Sequence, residues 1–510
     1  MFSKPVSHSP QRIYHMKAVC GGGKSYAMLK HIRESDGGWY IYAVPTIALA
    51  TEIEAAWEID NATSQADSLR AGELTVIHCQ RTSKESGADR RRELEEILRS
   101  PSAKNTVLIT HEFLLGDLFN PKYGLGELLS NWHIIIDEDP EVITAPGFQD
   151  NGNAYSDLSA IAKPQCEIGR FSVLEVSRDH RRRLRELTMG TSNDTQLHQN
   201  VRALCEAIVA DRNAKLLAKP SLHGYLYYLV SAKPLARLVA AAGRVTILAS
   251  RLTGLTRLYL DKCGIEIRVS EIVPDNSSYP KQLQERISVW RVWERGNMSK
   301  QRIDEYGVTA ALNQVEKQLT AAGNCSTFLL RANDANHKEA RGHPGVLNVV
   351  SKVTKGLNSY SNCRAVVDIA SYNRNSLYSE AYELLDQLLE VGKGTWQAAV
   401  EETHSELSAQ AAFRIGIRRI HDGPLDATYL IVLPDLRTED YMRKVYLPHA
   451  AFRGAMLDDG REGKSRGRPK GSATDENIRE VRRMTLSGTS VRAACANVGI
   501  SRSTYAKYIQ

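Results

Sequence analysis

Short apolar runs alternate with helical patterns along most of this 510-residue chain, and this alternation restricts the fold more than any other feature. Ten of these runs have the length and the β-branched or aromatic content of strands. Residues 107–109 and 134–136 are apolar at every position, which is typical of parallel strands covered on both faces. The pattern therefore predicts an α/β fold.

The strand-like runs fall into two groups, which predicts two tandem α/β domains rather than one large sheet. The first group lies in residues 1–275 and the second in residues 276–452. Long helical patterns between residues 141 and 240 predict a helical insertion in the first domain. A length of 510 residues allows each domain a core of its own.

The charge of the chain is concentrated at its end. Residues 461–510 contain eleven basic and four acidic residues, which accounts for the whole formal surplus of seven. A basic tail on a neutral body is typical of polyanion binding, so nucleic acid is the leading partner. Residues 453–474 are rich in Gly, Ser and charged residues, and they predict a linker before a small helical segment at 475–510.

The cysteines and the apolar segments indicate in which compartment of the cell to expect the protein. The eight cysteines include no CxxC pair, which argues against a zinc site and a disulfide framework and favours a reducing compartment. No stretch approaches the roughly 18 uninterrupted apolar residues of a membrane span, and the N-terminal residues contain no apolar signal segment. We expect a cytoplasmic protein that does not bind a membrane.

A glycine-rich turn follows the first predicted strand and precedes a helical pattern. Residues 18–25 read Ala-Val-Cys-Gly-Gly-Gly-Lys-Ser. Glycines allow backbone N–H groups to point at phosphates at the positive end of a helix, and Lys24 and Ser25 would then contact the β and γ phosphates and Mg²⁺. The predicted nucleotide-binding residues are Ala18, Gly21, Gly22, Gly23, Lys24 and Ser25.

A second motif supports this site. The apolar strand that begins at Trp132 ends in Asp137 and Glu138, and open α/β sheets bind ligands at the carboxyl ends of their strands. In isolation the pair reads as an acidic turn after a buried strand. Downstream of a phosphate-binding loop, it predicts that Asp137 holds Mg²⁺ and that Glu138 polarises the attacking water.

These motifs resemble superfamily two helicases of the DExx-box type, in which two RecA-like P-loop domains clamp ATP between them. Residues 18–25 resemble the first motif of that family, and residues 137–140, Asp-Glu-Asp-Pro, resemble the DExx box. Residues 249–253, Ala-Ser-Arg-Leu-Thr, stand where the family's SAT motif couples hydrolysis to domain movement, although they depart from its letters. The preference for ATP over other nucleoside triphosphates comes from this resemblance alone.

Three further segments extend the resemblance, which reaches about residue 420 and is particularly to DNA helicases of phages and plasmids. Residues 45–49, Pro-Thr-Ile-Ala-Leu, are similar to the PTxxL motif. Residues 355–360 resemble motif five in its GxN form, and residues 410–419 resemble motif six, whose arginines reach the γ-phosphate. The resemblance implies backbone contacts to a single strand by Pro45 and Thr46, contacts to the nucleotide by Gly356, Asn358 and Gln410, and catalytic roles for Lys24, Asp137, Glu138, Arg414 and Arg418.

The last segment, 475–510, predicts a helix-turn-helix. Apolar or small residues from Ala494 to Tyr508 fall at the spacing that holds such a module together, and the last helix would present Arg502, Ser503, Thr504 and Lys507 to DNA. Upstream, the segment containing Arg466 and Arg468 resembles an AT-hook core and the basic arm of resolvases. Alone, this arm reads equally well as a solubilising linker.

The sequence therefore predicts an ATP-dependent DNA helicase or translocase of a mobile element, with a single strand in the motor cleft, duplex DNA at the C-terminal module, and replication proteins as candidate partners. One alternative is a DNA-binding replication initiator or regulator in which ATP acts as a conformational switch without unwinding. Another is RNA remodelling. The two alternatives differ from the helicase in which nucleic acid stimulates hydrolysis and in whether duplex is unwound.

Overall fold

Strands and helices alternate over most of the structure, a computed structural model of the chain. The described part of the first 140 residues contains five strands and three α-helices. They are β1 (Arg12–Met16), α1 (Lys24–Glu34), β2 (Gly38–Val44), α2 (Ile47–Ser64), β3 (Glu73–Val76), α3 (Gly87–Arg99), β4 (Lys104–Thr110) and β5 (Trp132–Asp137). The structure describes residues 11–35, 37–64, 73–77, 87–101, 104–117, 125–140, 142–144, 147–150, 162–168, 171–176, 182, 184, 205, 208, 215–221, 224–274, 276, 278–294, 298, 300–323, 325–333, 336–350, 360, 362–370, 382, 385–387, 390–418, 427–457, 480, 481, 483–485, 490–498 and 505.

A second set of six strands follows and is antiparallel. These strands are β6 (Ile143–Thr144), β7 (Gly147–Asp150), β8 (Ala162–Ile168), β9 (Phe171–Val176), β10 (Lys215–Ser221) and β11 (Gly224–Ala232). The prediction of a helical insertion at 141–240 was therefore wrong for most of the described part of this segment. Runs such as the Tyr-Leu-Tyr-Tyr-Leu of β11 are rich in aromatic residues, which favour a strand, and they pair with their neighbours in the sheet.

The chain then returns to the first sheet through α4 (Leu235–Ala241), β12 (Arg244–Leu248), α5 (Gly254–Lys262) and β13 (Glu266–Val269). The seven strands of this sheet have the order β13-β1-β12-β5-β2-β4-β3, and every pair is parallel. The carboxyl ends of β1, β12 and β5 thus lie side by side at one edge of the sheet.

Buried side chains cover both faces of this sheet. Along β5, Ile135 packs with Met28 and Ile32 of α1 on one face, whereas Ile134 and Ile136 pack into a second cluster on the other face. Each of the three β5 isoleucines is 0% exposed, and such burial stabilises the fold by roughly 1.5–3 kcal/mol per side chain. This two-sided burial explains why every one of these positions is apolar.

The third sheet is also parallel. Its elements are α6 (Lys281–Gln284), β14 (Ile287–Trp293), α7 (Lys300–Tyr306), α8 (Val308–Gly323), β15 (Phe328–Arg331), α9 (His337–Arg341), β16 (Val346–Val350), β17 (Ala365–Asp368), α10 (Thr395–Ala412), β18 (Tyr429–Leu433), α11 (Leu436–Val445) and β19 (Ala451–Leu457), and its strand order is β16-β15-β17-β18-β14-β19. The predicted α/β class with two tandem parallel sheets is confirmed.

One predicted boundary differs from the structure. The linker was expected to begin at residue 453, but β19 continues to Leu457 because its residues pair in parallel with β14 at the edge of the sheet. The chain divides into two compact units, Met1–Leu457 and Asp458–Gln510. Both parallel sheets belong to the first unit.

The second unit contains α12 (Val491–Asn497), which begins at an N-cap where the Ser490 hydroxyl accepts a hydrogen bond from Ala493 N at 3.3 Å. Val481, Ala494, Cys495 and Tyr505 form its buried cluster. The helix-turn-helix stays a prediction, since most of residues 475–510 lie outside the described residues. No helix in the described ranges combines the length and hydropathy that a membrane span requires.

Candidate active site

The turn between β1 and α1 requires glycine for geometric reasons. Gly21 and Gly23 have φ angles of 76° and 82°, in the left-handed region that favours glycine. A Cβ on Gly22 would lie 2.6 Å from the Asn276 carbonyl oxygen and 2.9 Å from that of Val19. The glycine triplet therefore allows a tight turn whose backbone is in close contact with the segment after β13.

Lys24, the first residue of α1, folds back over this turn. Its Nζ donates hydrogen bonds to the carbonyl oxygens of Ala18 and Val19, at 3.0 Å each, and to Ser250 Oγ at 3.2 Å. The ammonium group thus lies inside the turn and is satisfied by groups of the protein. A phosphate in the turn would compete with these acceptors for the same charge.

Asp137 ends β5 beneath the start of α1 and is 3% exposed. Its Oδ2 accepts hydrogen bonds from Ser25 Oγ at 2.8 Å and from the Tyr42 hydroxyl at 3.0 Å. Burial, and then the neighbouring charge of Glu138, raises the pKa of Asp137 to about 6. A buried carboxylate adjacent to a hydroxyl is a set of oxygen donors that fits a hard divalent cation such as Mg²⁺.

Glu138 follows in an uncommon backbone conformation. Its φ of 67° is unusual for a residue other than glycine, and its N–H donates to Leu248 O at 2.8 Å. Its Oε1 accepts a hydrogen bond from Arg414 Nη2 at 2.9 Å, while Oε2 is buried and has no hydrogen-bond partner among the described residues. A strained backbone of this kind is common at functional sites.

Arg414 belongs to the half of the first unit that contains the second parallel sheet, β14–β19. Helix α10 ends at Ala412, and Arg414 lies in the turn that follows, 5% exposed. The ion pair with Glu138 therefore joins two residues 276 positions apart in the sequence. Residues 410–418 do not form a continuous helix, because the chain turns at Phe413 and then forms a short 3-10 helix at Gly416–Arg418.

A cavity of about 420 Å³ lies between these groups. Side chains and backbone from both halves line it. The lining includes Cys20, Gly21, Gly22, Gly23, Lys24, Ser25, Tyr26, Asp137, Glu138, Ser250, Gln410 and Arg414.

The segment after β12 is tied to the acidic turn and to α10. Asp139 accepts hydrogen bonds from Thr253 N and, at 2.6 Å, from Thr256 Oγ1 at the start of α5. On the opposite side, Arg251 and Arg257 both form ion pairs with Glu402 of α10. Residues 249–253 thus contact both the acidic turn and the helix that leads to Arg414.

The other predicted site residues either lie away from the cavity lining or lie outside the described residues. Pro45 and Thr46 follow β2, where Thr46 Oγ1 accepts a hydrogen bond from Leu49 N at 3.2 Å and so caps α2. The side chain of Arg418 is outside the described part of the structure. Eight other predicted site residues lie entirely outside the described part: Gly356, Asn358, Arg466, Arg468, Arg502, Ser503, Thr504 and Lys507.

Three residues of the site were not predicted from the sequence. Tyr42 contacts Asp137 from the neighbouring strand, and its pattern in β2 is that of an ordinary core residue. Ser250 lies in a segment singled out for domain coupling, not for contact with Lys24. Tyr279 donates its hydroxyl hydrogen to Cys20 O at 2.8 Å, and nothing in the sequence around it signals this contact.

No family model and no curated protein sequence matches the chain. Among solved structures, Xpd4 of S. tokodaii is 11% identical, with 85% of this chain and 99% of that chain covered and a TM-score of 0.39. The Mycobacterium smegmatis helicase Lhr bound to ssDNA and AMP-PNP is 11% identical, with 88% and 48% covered and a TM-score of 0.32, so this chain spans about half of Lhr. Mss116p bound to ssRNA and AMP-PNP is 10% identical, with 97% and 80% covered and a TM-score of 0.35.

Proposed function

We propose that the protein is an ATP-dependent DNA helicase or translocase whose C-terminal unit binds duplex DNA. The observation that carries the proposal is the ion pair of Arg414 with Glu138 across the cavity that Lys24 and Ser25 also line. A phosphate-binding turn, a buried acid and an arginine from a second sheet are the parts that phosphoryl transfer needs. Hydrolysis at such a site couples chemistry to the relative position of the two halves.

Nucleotide binding would exchange protein contacts for phosphate contacts. Lys24 would leave the carbonyl oxygens of Ala18 and Val19 for the β and γ phosphates, and the backbone N–H groups of the glycine turn would bind the same phosphates. Ser25 and Asp137 would hold Mg²⁺, which when bound neutralises phosphate charge. Burial, and then Glu138, raises the pKa of Asp137 to about 6, and a bound cation would favour the charged form of this carboxyl group.

The ion pair between Glu138 and Arg414 would couple hydrolysis to nucleotide binding. The two groups neutralise each other, so neither is available for catalysis. A γ-phosphate would compete for the Arg414 guanidinium and release Oε1 of Glu138, while Oε2 already lacks a hydrogen-bond donor among the described residues. Glu138 would then accept a hydrogen bond from the attacking water, and Arg414 would stabilise charge on the transferring phosphoryl group.

DNA as the nucleic acid, and a mobile element as the context, rest on the sequence. The basic surplus of residues 461–510 favours a polyanion, and Arg466 and Arg468 before a helix-turn-helix pattern favour duplex DNA. The resemblance to phage and plasmid helicases suggests a role in replication. We retain the ATP-switched initiator as the second candidate because the same ion pair would also respond to nucleotide in a switch.

Hydrolysis measured without nucleic acid and with three different nucleic acids tests the proposal. Wild type and Glu138→Gln are compared without nucleic acid and with single-stranded DNA, duplex DNA or RNA, at two salt concentrations. We expect strong stimulation by single-stranded DNA that the variant loses. If wild type hydrolyses ATP no faster than the variant under any condition, the ATP-switched initiator remains as the function. Stimulation by RNA alone would favour RNA remodelling.

A further inference from the structure

One tyrosine connects the glycine turn to the segment that carries Arg414. Tyr279 lies between β13 and α6, the connection from the first parallel sheet to the second, and it is 2% exposed. Its hydroxyl donates a hydrogen bond to the carbonyl oxygen of Cys20, inside the glycine turn, at 2.8 Å. The turn is thus held from outside by a side chain of the connecting segment.

The ring of the same tyrosine contacts Phe413, the residue immediately before Arg414. The ring centroids are 4.9 Å apart with an interplanar angle of 38°. Phe413 also contacts the Tyr446 ring, at 5.1 Å between centroids, and the Tyr446 hydroxyl donates to the buried carboxylate of Glu406 at 2.7 Å. Phe413 therefore packs against two aromatic rings, each anchored by a hydrogen bond.

Hydrogen bonds also connect Tyr279 to the part of the chain that forms the second parallel sheet. Gln284 Nε2 donates a hydrogen bond to the Tyr279 carbonyl oxygen at 2.7 Å, and the N–H of His449 donates to Gln284 Oε1 at 3.0 Å. Val19 of the glycine turn also packs in the same apolar cluster as Tyr279 and Phe413. These contacts form a continuous chain from the Cys20 carbonyl to the backbone of Arg414.

We propose that Tyr279 is a positioning residue that sets the distance between the glycine turn and Arg414. This inference rests on the proposed function, since it assigns how one catalytic group of that site is held. The hydroxyl bond fixes Tyr279 to the turn, and the ring contact transmits that position to Phe413 and Arg414. Loss of the hydroxyl would leave the ring stacked but allow the arginine to occupy a wider range of positions relative to the phosphates.

Reaction geometry is sensitive to such a change, whereas ground-state binding is less so. Arg414 stabilises charge that develops during phosphoryl transfer, and small displacements of such a group lower the rate of the chemical step. The glycine turn and Lys24 would still bind the diphosphate part of the nucleotide. A residue that only fills the core would instead affect stability and leave the rate unchanged.

The test compares Tyr279→Phe with Tyr259→Phe. The control also removes a buried tyrosine hydroxyl, which donates to the Lys233 carbonyl at 3.0 Å and accepts from Ala236 N at 3.1 Å. Both tyrosines lie outside the cavity lining, but the Tyr259 hydroxyl contacts the start of α4, whereas that of Tyr279 contacts the glycine turn. Three quantities are measured for each protein: kcat, the dissociation constant of Mg·ADP, and that of Mg·ADP with fluoroaluminate, a mimic of the transferring phosphoryl group. The melting temperature reports the structural effect of each substitution.

We expect Tyr279→Phe to lower kcat and to weaken fluoroaluminate binding by about 3- to 10-fold, the effect of one hydrogen bond, with Mg·ADP binding changed less than about 2-fold. Tyr259→Phe should leave all three values unchanged. In the background of Arg414→Gln, the Tyr279 substitution should lower kcat no further, because the group it positions is absent.

The outcomes separate this inference from the function on which it rests. If wild type binds neither Mg·ADP nor the fluoroaluminate complex, the proposed nucleotide site is wrong and the inference with it. If wild type binds both and Tyr279→Phe is indistinguishable from wild type, only the inference is overturned. Equal losses in the presence and absence of Arg414 would also overturn it, since Tyr279 would then act through another group.

Discussion

A buried acid and an arginine that neutralise each other define the candidate site at the scale of single residues. Glu138 and Arg414 are both largely buried, with side chains 19% and 6% exposed, and their ion pair spans 2.9 Å. A buried charge without a partner is costly, so each group stabilises the other. Under the proposed function, a substrate phosphate would have to replace one of them before either residue could act.

Lys24 provides the first prediction. Lys24→Ala removes the ammonium that the phosphates would bind, so we expect the affinity for Mg·ATP to fall roughly 10- to 100-fold, the effect of losing a charged hydrogen bond. The control is Lys30→Ala, since Lys30 lies on the solvent side of the same helix, 57% exposed and 3.8 Å from Glu34. Titration calorimetry measures both affinities. An equal loss in the two variants would contradict the assignment of Lys24.

His133 gives a prediction for pH dependence. Burial, with smaller effects from Arg244 and His31, lowers its pKa to about 3, and its Nε2 is 2.8 Å from Thr246 Oγ1. The unfolded chain takes up the proton near the ordinary pKa of 6.5, whereas the folded protein does not until about pH 3. Stability attributable to this group is therefore fully present above about pH 7 and is lost as the pH falls from there toward 3.

The measurement is denaturant unfolding of wild type and His133→Asn at pH 7.5 and pH 5. We expect the free energy of unfolding of the variant to fall by roughly 2 kcal/mol less than that of wild type between these values, as a pKa difference of this size implies. Parallel losses in the two proteins would mean that His133 takes up its proton in the folded state as readily as in the unfolded state.

The residues of the site differ in how far sequence could predict them. Gly21, Gly22, Gly23, Lys24 and Asp137 follow or end strands in a pattern with a physical requirement, and the structure places all of them around one cavity. The contacts of Tyr42 and Tyr279 depend on strand order and on the path of a connecting segment. A tyrosine in a buried pattern gives no indication of which distant group its hydroxyl will reach.

At the scale of elements, the contact between α5 and α10 links the candidate site to the second parallel sheet. Arg251 and Arg257 share the carboxylate of Glu402, and α10 leads directly into Arg414. Gly254 allows the two helices to approach closely, since a Cβ there would lie 2.7 Å from the Ala399 Cα. Close packing of this kind cannot absorb an added methyl group without a shift of one helix.

Gly254→Ala should therefore separate α5 from α10. We expect a loss of about 1–3 kcal/mol in the free energy of unfolding, the usual effect of overpacking, together with a lower kcat because α10 precedes Arg414. Gly116→Ala is the matched control, since a Cβ on Gly116 would meet nothing within 4 Å. Unfolding and turnover of Gly254→Ala no different from those of the control would exclude a role for this contact.

Element types were easiest to predict where both faces of a strand are buried. The apolar runs at residues 107–109 of β4 and 134–136 of β5 identified these parallel strands from their residues alone, and both strands pair in parallel with β2. The antiparallel strands β6–β11 were expected to be helical, because residues that face two environments give mixed patterns that short windows do not resolve. Hydrogen bonding to neighbouring strands determines whether such segments become strands. A single sequence does not show which strands will pair.

At the scale of the whole molecule, the chain separates a neutral body from a basic end. The structure divides at Leu457 and Asp458, close to the point where the charge surplus begins at residue 461. We expect a chain ending at Leu457 to fold and to keep its hydrolysis without nucleic acid, since the cavity lining comes entirely from residues 20–414.

Duplex binding should depend on the removed unit. We expect truncation after Leu457 to weaken duplex DNA binding at least 10-fold and to reduce its dependence on salt concentration, because fewer counterions are released. Fluorescence anisotropy with labelled duplex at several salt concentrations measures both. Unchanged affinity and an unchanged salt slope would place the duplex contacts in the first unit.

Turnover of Arg414→Gln tests most directly the claim that one residue from each half forms a single hydrolytic site. The control is Arg99→Gln, which breaks an exposed arginine-glutamate pair on α3, where Arg99 Nη2 is 2.8 Å from Glu95 Oε1. With saturating single-stranded DNA, we predict that kcat of Arg414→Gln falls at least about 1,000-fold, as for loss of an arginine finger, while Mg·ADP affinity changes less than about 3-fold. Turnover in Arg414→Gln close to that of Arg99→Gln would contradict the account.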